Sequence, residues 1–160
     1  MVKYHFLSIM LCFFLIVPAL FAEKRGEDFF FAPRGEVTGY GTNGYAYGGG
    51  LMIGAGTGGA LGLSLLYAVD DNNFIFMEML FFLRGYIFGA NAFSGPFLQL
   101  SAGPVIYADT NPEITSYGNI SAGLTTGWRF LLGRHFFLEP AVRIGYPYLA
   151  GAGLALGVRR

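Results

Sequence analysis

A strict alternation of apolar with small or polar residues is the feature that most constrains this chain. In residues 120–130 the even positions carry mostly apolar side chains, while the odd positions carry serine, glycine, threonine and arginine. Residues 61–69 and 136–146 alternate in the same way. Successive side chains of a β-strand point to opposite faces, so each segment predicts a strand with one apolar face and one small or polar face.

A membrane barrel accommodates such strands better than a soluble sheet does. Charged residues form only 12% of the 160-residue chain, against about 25% in a typical soluble domain. Backbone polar groups in a bilayer must be satisfied internally, so only helices and closed barrels span it. The best candidate for a spanning helix, residues 74–88, is interrupted by Glu78 and Arg84. The zero net charge disfavours a nucleic-acid partner held through its phosphates.

Turn-forming residues divide the chain into eight alternating segments. Their predicted ranges are 29–40, 44–55, 59–69, 74–88, 96–108, 117–131, 136–146 and 152–160. The predicted fold class is therefore all-β, with one domain forming an antiparallel up-and-down transmembrane β-barrel of about eight strands. Pro33, Pro104 and Pro140 fall within these strands, where the missing N–H group predicts a bulge or an edge.

The first 22 residues have the organisation of a secretory signal peptide. A basic start precedes an apolar run over residues 6–17, and the small residues Ala19 and Ala22 follow. The run is shorter than the roughly 20 residues of a membrane-spanning helix, although a retained anchor helix is the alternative. We predict cleavage after Ala22, or after Ala19, which leaves residues 23–160 as a barrel domain in a bacterial outer membrane. The one cysteine of the sequence leaves with the signal peptide, which excludes disulfides and thiolate sites.

Seven charged residues within the predicted strands fall on the face opposite the apolar one. Arginine or lysine facing lipid at the midplane costs about 2–4 kcal/mol, so a membrane barrel should keep its charges in the lumen. Parity places seven residues there: Arg34, Glu36, Glu78, Arg84, Arg129, Glu139 and Arg143. A three-residue turn at Gly133 sets Arg129 directly across from Glu139, and the other three-residue register leaves them diagonal, so both registers predict contact. The sequence thus predicts a lumen blocked by an ion-paired cluster.

Aromatic residues of outward parity form two predicted rings at the lipid interface. One ring lies near the links that follow odd-numbered strands: Tyr45, Tyr47, Tyr67, Tyr146 and Tyr148. The other ring lies near the opposite turns: Trp128, Phe130 and Phe136. Aromatic girdles at both interfaces are typical of a barrel in lipid. With both termini in the periplasm, the tyrosine ring lies at the outer surface.

This pattern resembles the small eight-stranded outer-membrane proteins, the OmpA transmembrane-domain and OmpW-like group. The likeness covers the whole mature chain and lies in the signal peptide, the alternating strands, the tight turns and the closing strand. Residues 153–160 alternate as the group's C-terminal assembly signal does, but they end in Arg160 where the group has an aromatic residue. The resemblance implies outer-membrane lipid and the barrel-assembly machinery as partners, and it carries over no catalytic, cofactor-binding or metal-binding residue.

Three other patterns have both a structural and a functional interpretation. Residues 54–59 match the Gly-x-Gly-x-x-Gly dinucleotide motif, but Gly62 would interrupt the helix that must follow, so we predict a glycine-rich hairpin turn. His135 is the one mature histidine, and we interpret it as a solvated turn residue in preference to a catalytic base. The oxygen-rich segments 70–73 and 109–113 suit a cation or a host ligand, but turn formation is the favoured interpretation.

The main functional hypothesis is a structural or surface-exposed outer-membrane protein without catalytic activity, cofactor or metal. An OmpW-like passage for small hydrophobic molecules is the alternative, and a lipid-modifying barrel enzyme is a distant third. The short predicted loops argue against an adhesin built on long loops. An eight-stranded barrel is just wide enough for side chains to fill its interior, so the blocked lumen predicts negligible conductance.

Overall fold

The polypeptide closes into a ring of eight antiparallel strands. The computed structural model describes residues 28–40, 44–56, 59–71, 74–87, 94–109 and 117–160. Its strands are β1 Asp28–Tyr40, β2 Gly44–Gly56, β3 Gly59–Asp70, β4 Phe74–Tyr86, β5 Gly95–Asp109, β6 Tyr117–Leu132, β7 Phe136–Tyr146 and β8 Ala150–Arg159. Each strand pairs with the next, and β8 pairs with β1. The predicted up-and-down β-barrel is confirmed.

The strand boundaries depart from the sequence-based ranges by at most two residues. The predicted signal peptide and its cleavage site lie outside the described residues. Across the described ranges, no helix is long and apolar enough to cross a membrane. Below, the terminal end is the end of the barrel at which β1 begins and β8 ends, and the distal end is the opposite one.

Apolar side chains fill the barrel in two layers, one toward each end. The terminal layer contains Phe30, Ala32, Met52, Ala60, Phe82, Phe137 and Ala155. The distal layer contains Ala46, Ala68, Phe76, Val105 and Tyr107. The rings of Phe76 and Tyr107 meet edge to face with their centres 5.1 Å apart, a favoured geometry for aromatic pairs. These two layers flank the charged part of the interior.

Four of the hairpins, β1–β2, β3–β4, β5–β6 and β7–β8, each contain one buried phenylalanine that lies over a glycine of the partner strand. The direct cross-strand pairs are Phe30–Gly54, Phe82–Gly62, Phe97–Gly127 and Phe137–Gly157. A Cβ atom on any of these glycines would come within 2.8 Å of the phenylalanine ring. Glycine therefore leaves the space into which the ring folds, and the ring covers the backbone that glycine exposes.

Pro33, Pro104 and Pro140 interrupt the hydrogen-bonded ladder without shifting its register. Pairing between β1 and β8 stops at Ala32 and Pro33 and resumes in the same register at Arg34. Pro104 and Pro140 lie at equivalent interruptions of the β4–β5 and β6–β7 pairs. The prediction of a bulge or an edge is therefore wrong, because every strand keeps two neighbours and its register. All three prolines are exposed, and the missing N–H group removes ladder bonds only locally.

Candidate functional site

The structure places all seven predicted lumen charges inside the barrel. Six of these residues are at most 8% exposed, and the side chain of Arg34 is 11% exposed. They come from β1, β4, β6 and β7, whose inward faces meet across the lumen. They form two ion-paired groups: the terminal cluster (Arg84, Arg129 and Glu139) and the distal cluster (Arg34, Glu36, Glu78 and Arg143).

In the terminal cluster one carboxylate binds two guanidinium groups. Arg84 donates to both Glu139 oxygens, from Nη1 at 2.7 Å and from Nη2 at 2.9 Å. Arg129 donates from Nε to Glu139 Oε2 at 2.7 Å. Gln99 on β5 accepts two further bonds from Arg84, at 3.0 and 2.6 Å. The predicted Arg129–Glu139 contact is present, and Arg84, for which the sequence indicated no partner, binds the same carboxylate.

The terminal cluster carries two positive charges and one negative, and aromatic rings lie against both arginines. The guanidinium carbon of Arg84 is 3.9 Å from the centre of the Phe97 ring. That of Arg129 is 3.8 Å from the Phe137 ring centre and 4.1 Å from the Phe30 ring centre. A desolvated cation over an aromatic face gains about 2 kcal/mol. The phenylalanines that cover glycines therefore also stabilise the surplus arginine charge.

In the distal cluster Arg143 of β7 lies between carboxylates from two other strands. Its Nη1 is 2.8 Å from Glu78 Oε2, and its Nε forms an ion pair with Glu36 Oε1. Glu36 also pairs with Arg34 at 3.1 Å and accepts a hydrogen bond from Thr38 at 2.7 Å. Two positive and two negative charges balance here, so this cluster is neutral as a unit.

Uncharged polar residues that were not predicted from the sequence complete both clusters. Ser121 on β6 donates to Glu78 at 3.1 Å, beside the bonds of Thr38 and Gln99 described above. All three side chains are buried and have inward parity. Parity applied to uncharged polar residues would have identified these lumen positions in the sequence.

Tyr148 is the predicted interface aromatic that the structure places elsewhere. Its side chain is fully buried, and its ring centre lies 3.7 Å from the guanidinium carbon of Arg143. Gly123 and Gly145 leave room for it, since a Cβ on Gly123 would lie 2.1 Å from the Tyr148 hydroxyl oxygen. The outward prediction was wrong because β7 ends at Tyr146, so its alternation does not extend to residue 148. Burial raises the pKa of the Tyr148 hydroxyl above its usual range.

The other seven predicted interface aromatics lie on the outer wall, between 47% and 60% exposed. They are Tyr45, Tyr47, Tyr67 and Tyr146 toward the distal end, and Trp128, Phe130 and Phe136 toward the terminal end. The rings of Trp128 and Phe130 stack with their centres 5.9 Å apart. The outer wall thus has aromatic residues toward both ends, the arrangement typical of barrels in lipid.

A cavity of about 30 Å³ lies between the two clusters. Its lining includes Arg34 and Arg143 from the distal cluster and Arg84 and Glu139 from the terminal cluster. This volume accommodates one or two water molecules. It is far below the roughly 300–1,000 Å³ of a pocket for a small organic ligand. The space between the two clusters is therefore too small for a small organic ligand.

The glycine motif and the histidine both fall on hairpins. Residues 54–56 lie in β2, and Gly59 begins β3, which pairs antiparallel with β2. The described part of the motif is therefore strand, not the start of a nucleotide-binding helix. His135 is exposed in the β6–β7 turn, and its carbonyl accepts the N–H group of Arg159 at 2.7 Å.

The first oxygen-rich segment makes a local turn bond. Asp70 Oδ1 accepts the N–H group of Phe74 at 2.8 Å, which is the side-chain-to-backbone bond expected of a turn-forming aspartate. Residues 72–73 and 110–113 of the two segments lie outside the described residues. Within the part of the chain that the structure describes, no three His, Cys, Asp or Glu side chains are grouped to hold a metal ion.

Solved structures of natural barrels share this architecture. The N-terminal β-barrel domain of Pseudomonas aeruginosa OprF aligns with a TM-score of 0.56 and 18% identity, over 83% of this chain and 97% of that chain. Neisserial surface protein A aligns with a TM-score of 0.53 and 14% identity, over 84% of this chain and 96% of that chain. The chain has the fold of the small outer-membrane β-barrels. The resemblance expected from the sequence is confirmed for this barrel fold.

Comparison of the sequence with known proteins identifies no functional residue in this chain. No protein-family model matches the chain, and neither does any curated protein. At the identities of the two structural matches the likeness concerns the fold alone. The two clusters are therefore interpreted from their own geometry.

Proposed function

We propose that the protein is a closed outer-membrane β-barrel with a structural or surface-exposed role and no catalytic activity. The filled interior carries this proposal, because two apolar layers and two ion-paired clusters occupy the lumen. The cavity left between the clusters holds only water-sized molecules. Such an interior supports the wall-forming role of a small barrel and disfavours a passage for solutes.

The outer wall supports a location in a lipid bilayer. Large apolar side chains cover it between the aromatic residues: Leu83, Leu100, Ile120, Ile144 and Leu154 are 53–70% exposed. Soluble monomers rarely expose so large a continuous apolar surface. We therefore assign the bacterial outer membrane as the location, membrane lipid as the permanent partner and the barrel-assembly machinery as the partner during insertion.

The state of the lumen carboxylates supports a non-catalytic role. Glu36, Glu78 and Glu139 are buried, and each is paired with at least one arginine. A general acid or base needs access to a substrate. These carboxylates are buried in the lumen and contacted by arginines, which leaves a substrate no approach to them.

Single-channel recording in planar bilayers tests the closed lumen. The purified, refolded chain should give no stable current above that of a protein-free bilayer, while a wide porin reconstituted in parallel is the positive control. Folding of the same sample is verified by a change in gel mobility on heating and by circular dichroism dominated by β-structure. Stable, large currents from the folded chain would contradict the proposal and favour the passage of small hydrophobic molecules.

A further inference from the structure

The rim at the terminal end carries a group of basic residues on neighbouring strand ends. Arg134 and His135 are exposed in the β6–β7 turn, and Arg159 and Arg160 follow at the end of β8, half-buried and exposed respectively. These four residues are the basic arc. Asp28 is the one acidic residue that the described residues place at this rim. Among the described residues of this rim, the arginines therefore outnumber the acidic residues.

Backbone hydrogen bonds fix the basic arc in place. Arg159 donates its N–H group to the His135 carbonyl at 2.7 Å and its Nε to the Arg134 carbonyl at 3.2 Å. Arg160 and Phe29 exchange two backbone bonds, at 2.9 and 3.1 Å, which join the end of β8 to the start of β1. The turn and strand end that carry the basic arc are therefore adjacent in the barrel wall, and the side chain of Arg159 is held against the turn.

The outer wall directly beside the basic arc is apolar and aromatic. Leu132, Phe136 and Val158 are the outward residues adjoining the turn and the strand end, and they are 50%, 55% and 41% exposed. Trp128 and Phe130 lie further along β6 on the same wall. Arginines above an aromatic girdle lie at the depth of lipid headgroups.

The distal rim has the opposite charge. The described residues there include Asp70 and Asp71 at the β3–β4 link and no arginine or lysine. The tyrosines of the outer wall lie toward this rim, so an aromatic girdle is present without the basic residues. The combination of positive charge with an aromatic wall is therefore specific to the terminal end among the described residues.

We propose that the basic arc binds the phosphate headgroup of an anionic phospholipid, whose acyl chains lie against Trp128, Phe130 and Phe136. The proposal rests on the proposed membrane location of the barrel. Guanidinium groups bind phosphate oxygens through paired, charge-assisted hydrogen bonds. A zwitterionic headgroup brings its own cation beside the phosphate, so the basic arc favours a lipid with net negative charge.

Quenching of Trp128 by brominated lipid tests the proposal, because Trp128 is the single tryptophan of the sequence. The barrel is folded into phosphatidylcholine vesicles that contain a minor fraction of phosphatidylglycerol, and bromine is carried on the acyl chains of one lipid or the other. Brominated phosphatidylglycerol should quench more than its mole fraction predicts, by about fivefold, the enrichment that one arginine at an anionic headgroup supplies. Quenching in proportion to mole fraction would overturn the proposal.

A charge variant and its control assign the preference to the basic arc. Arg134→Gln, Arg159→Gln and Arg160→Gln together should abolish the excess quenching, whereas Asp71→Asn at the opposite rim should leave it unchanged. An excess that persists in the triple variant would refute the site. If the triple variant does not fold, the salt dependence of the excess quenching is measured on the wild type. An electrostatic preference falls with rising salt, whereas a preference for acyl chains does not, so an excess that is independent of salt would refute the site. If neither brominated lipid quenches Trp128 in the wild type, the membrane location itself is contradicted.

Discussion

Removing the carboxylate of Glu139 tests the energetics of the terminal cluster. Glu139 is 3% exposed and binds Arg84 through both oxygens and Arg129 through one. Glu139→Ala leaves two buried guanidinium groups without the counter-charge they share. Breaking a buried pair by removing one partner costs about 3–5 kcal/mol, so we expect the free energy of unfolding to fall by that amount.

The double variant Glu139→Ala/Arg129→Ala separates the ion pairs from the loss of side-chain volume. Arg129→Ala alone leaves Glu139 bound to Arg84, so its expected loss of stability is smaller, about 1–3 kcal/mol. The double variant also removes the Arg129 guanidinium group, which Glu139→Ala leaves without a counter-charge. Gln99 still accepts two bonds from Arg84. Its loss should therefore be smaller than that of Glu139→Ala alone, a non-additivity typical of residues in one network.

Equilibrium unfolding by urea in phosphatidylcholine vesicles, followed by Trp128 fluorescence, measures these differences. Arg134→Ala is the matched control, since this arginine is exposed in the adjacent turn and its removal should change stability by less than about 0.5 kcal/mol. A double variant that is as unstable as Glu139→Ala, or that loses the sum of the two single losses, would refute the pairing argument.

Two further results are expected. Gly54→Ala should destabilise the barrel by about 1–3 kcal/mol, because its Cβ would lie 2.7 Å from the Phe30 ring, whereas Gly85→Ala has nothing within 4 Å and is the control. Equal losses for the two glycine variants in urea unfolding would contradict the packing account. N-terminal sequencing and intact mass of membrane-extracted protein should show a chain that begins at Glu23, or at Leu20 after cleavage at Ala19. Retention of residues 1–21 would contradict the signal peptide.

The features that depend on local patterns were predictable from the sequence. Alternation located all eight strands, because parity is a property of each segment alone. The Arg129–Glu139 contact was predictable as well, since a three-residue turn and the shared inward parity leave two registers for that hairpin, and both bring the two residues into contact. The cross-strand Phe–Gly pairs follow from the same reasoning once each hairpin register is assigned.

The remaining contacts depend on how the ring closes. Arg84 reaches Glu139 from β4 to β7, and Arg143 reaches Glu36 from β7 to β1, and no local pattern reports which inward faces approach across the lumen. Tyr148 was misplaced because parity has no meaning beyond the end of a strand. The sequence therefore predicts which side chains enter the lumen but not how they pair across it.

The hairpin-local placement of the Phe–Gly pairs has a consequence for the order of assembly. Each of these contacts forms within one hairpin, whereas Arg84–Glu139 and Arg143–Glu78 join residues 55 and 65 positions apart. Contacts distant in sequence form only after the entropy of closing a long loop has been lost. Hairpins can therefore acquire their aromatic packing while the sheet is still open. Arg84 meets Glu139, and Arg143 meets Glu78, only when β4 and β7 face each other. An open sheet with unneutralised arginines on its inner face is unfavourable in lipid, so the last seam closes cooperatively with the charge network.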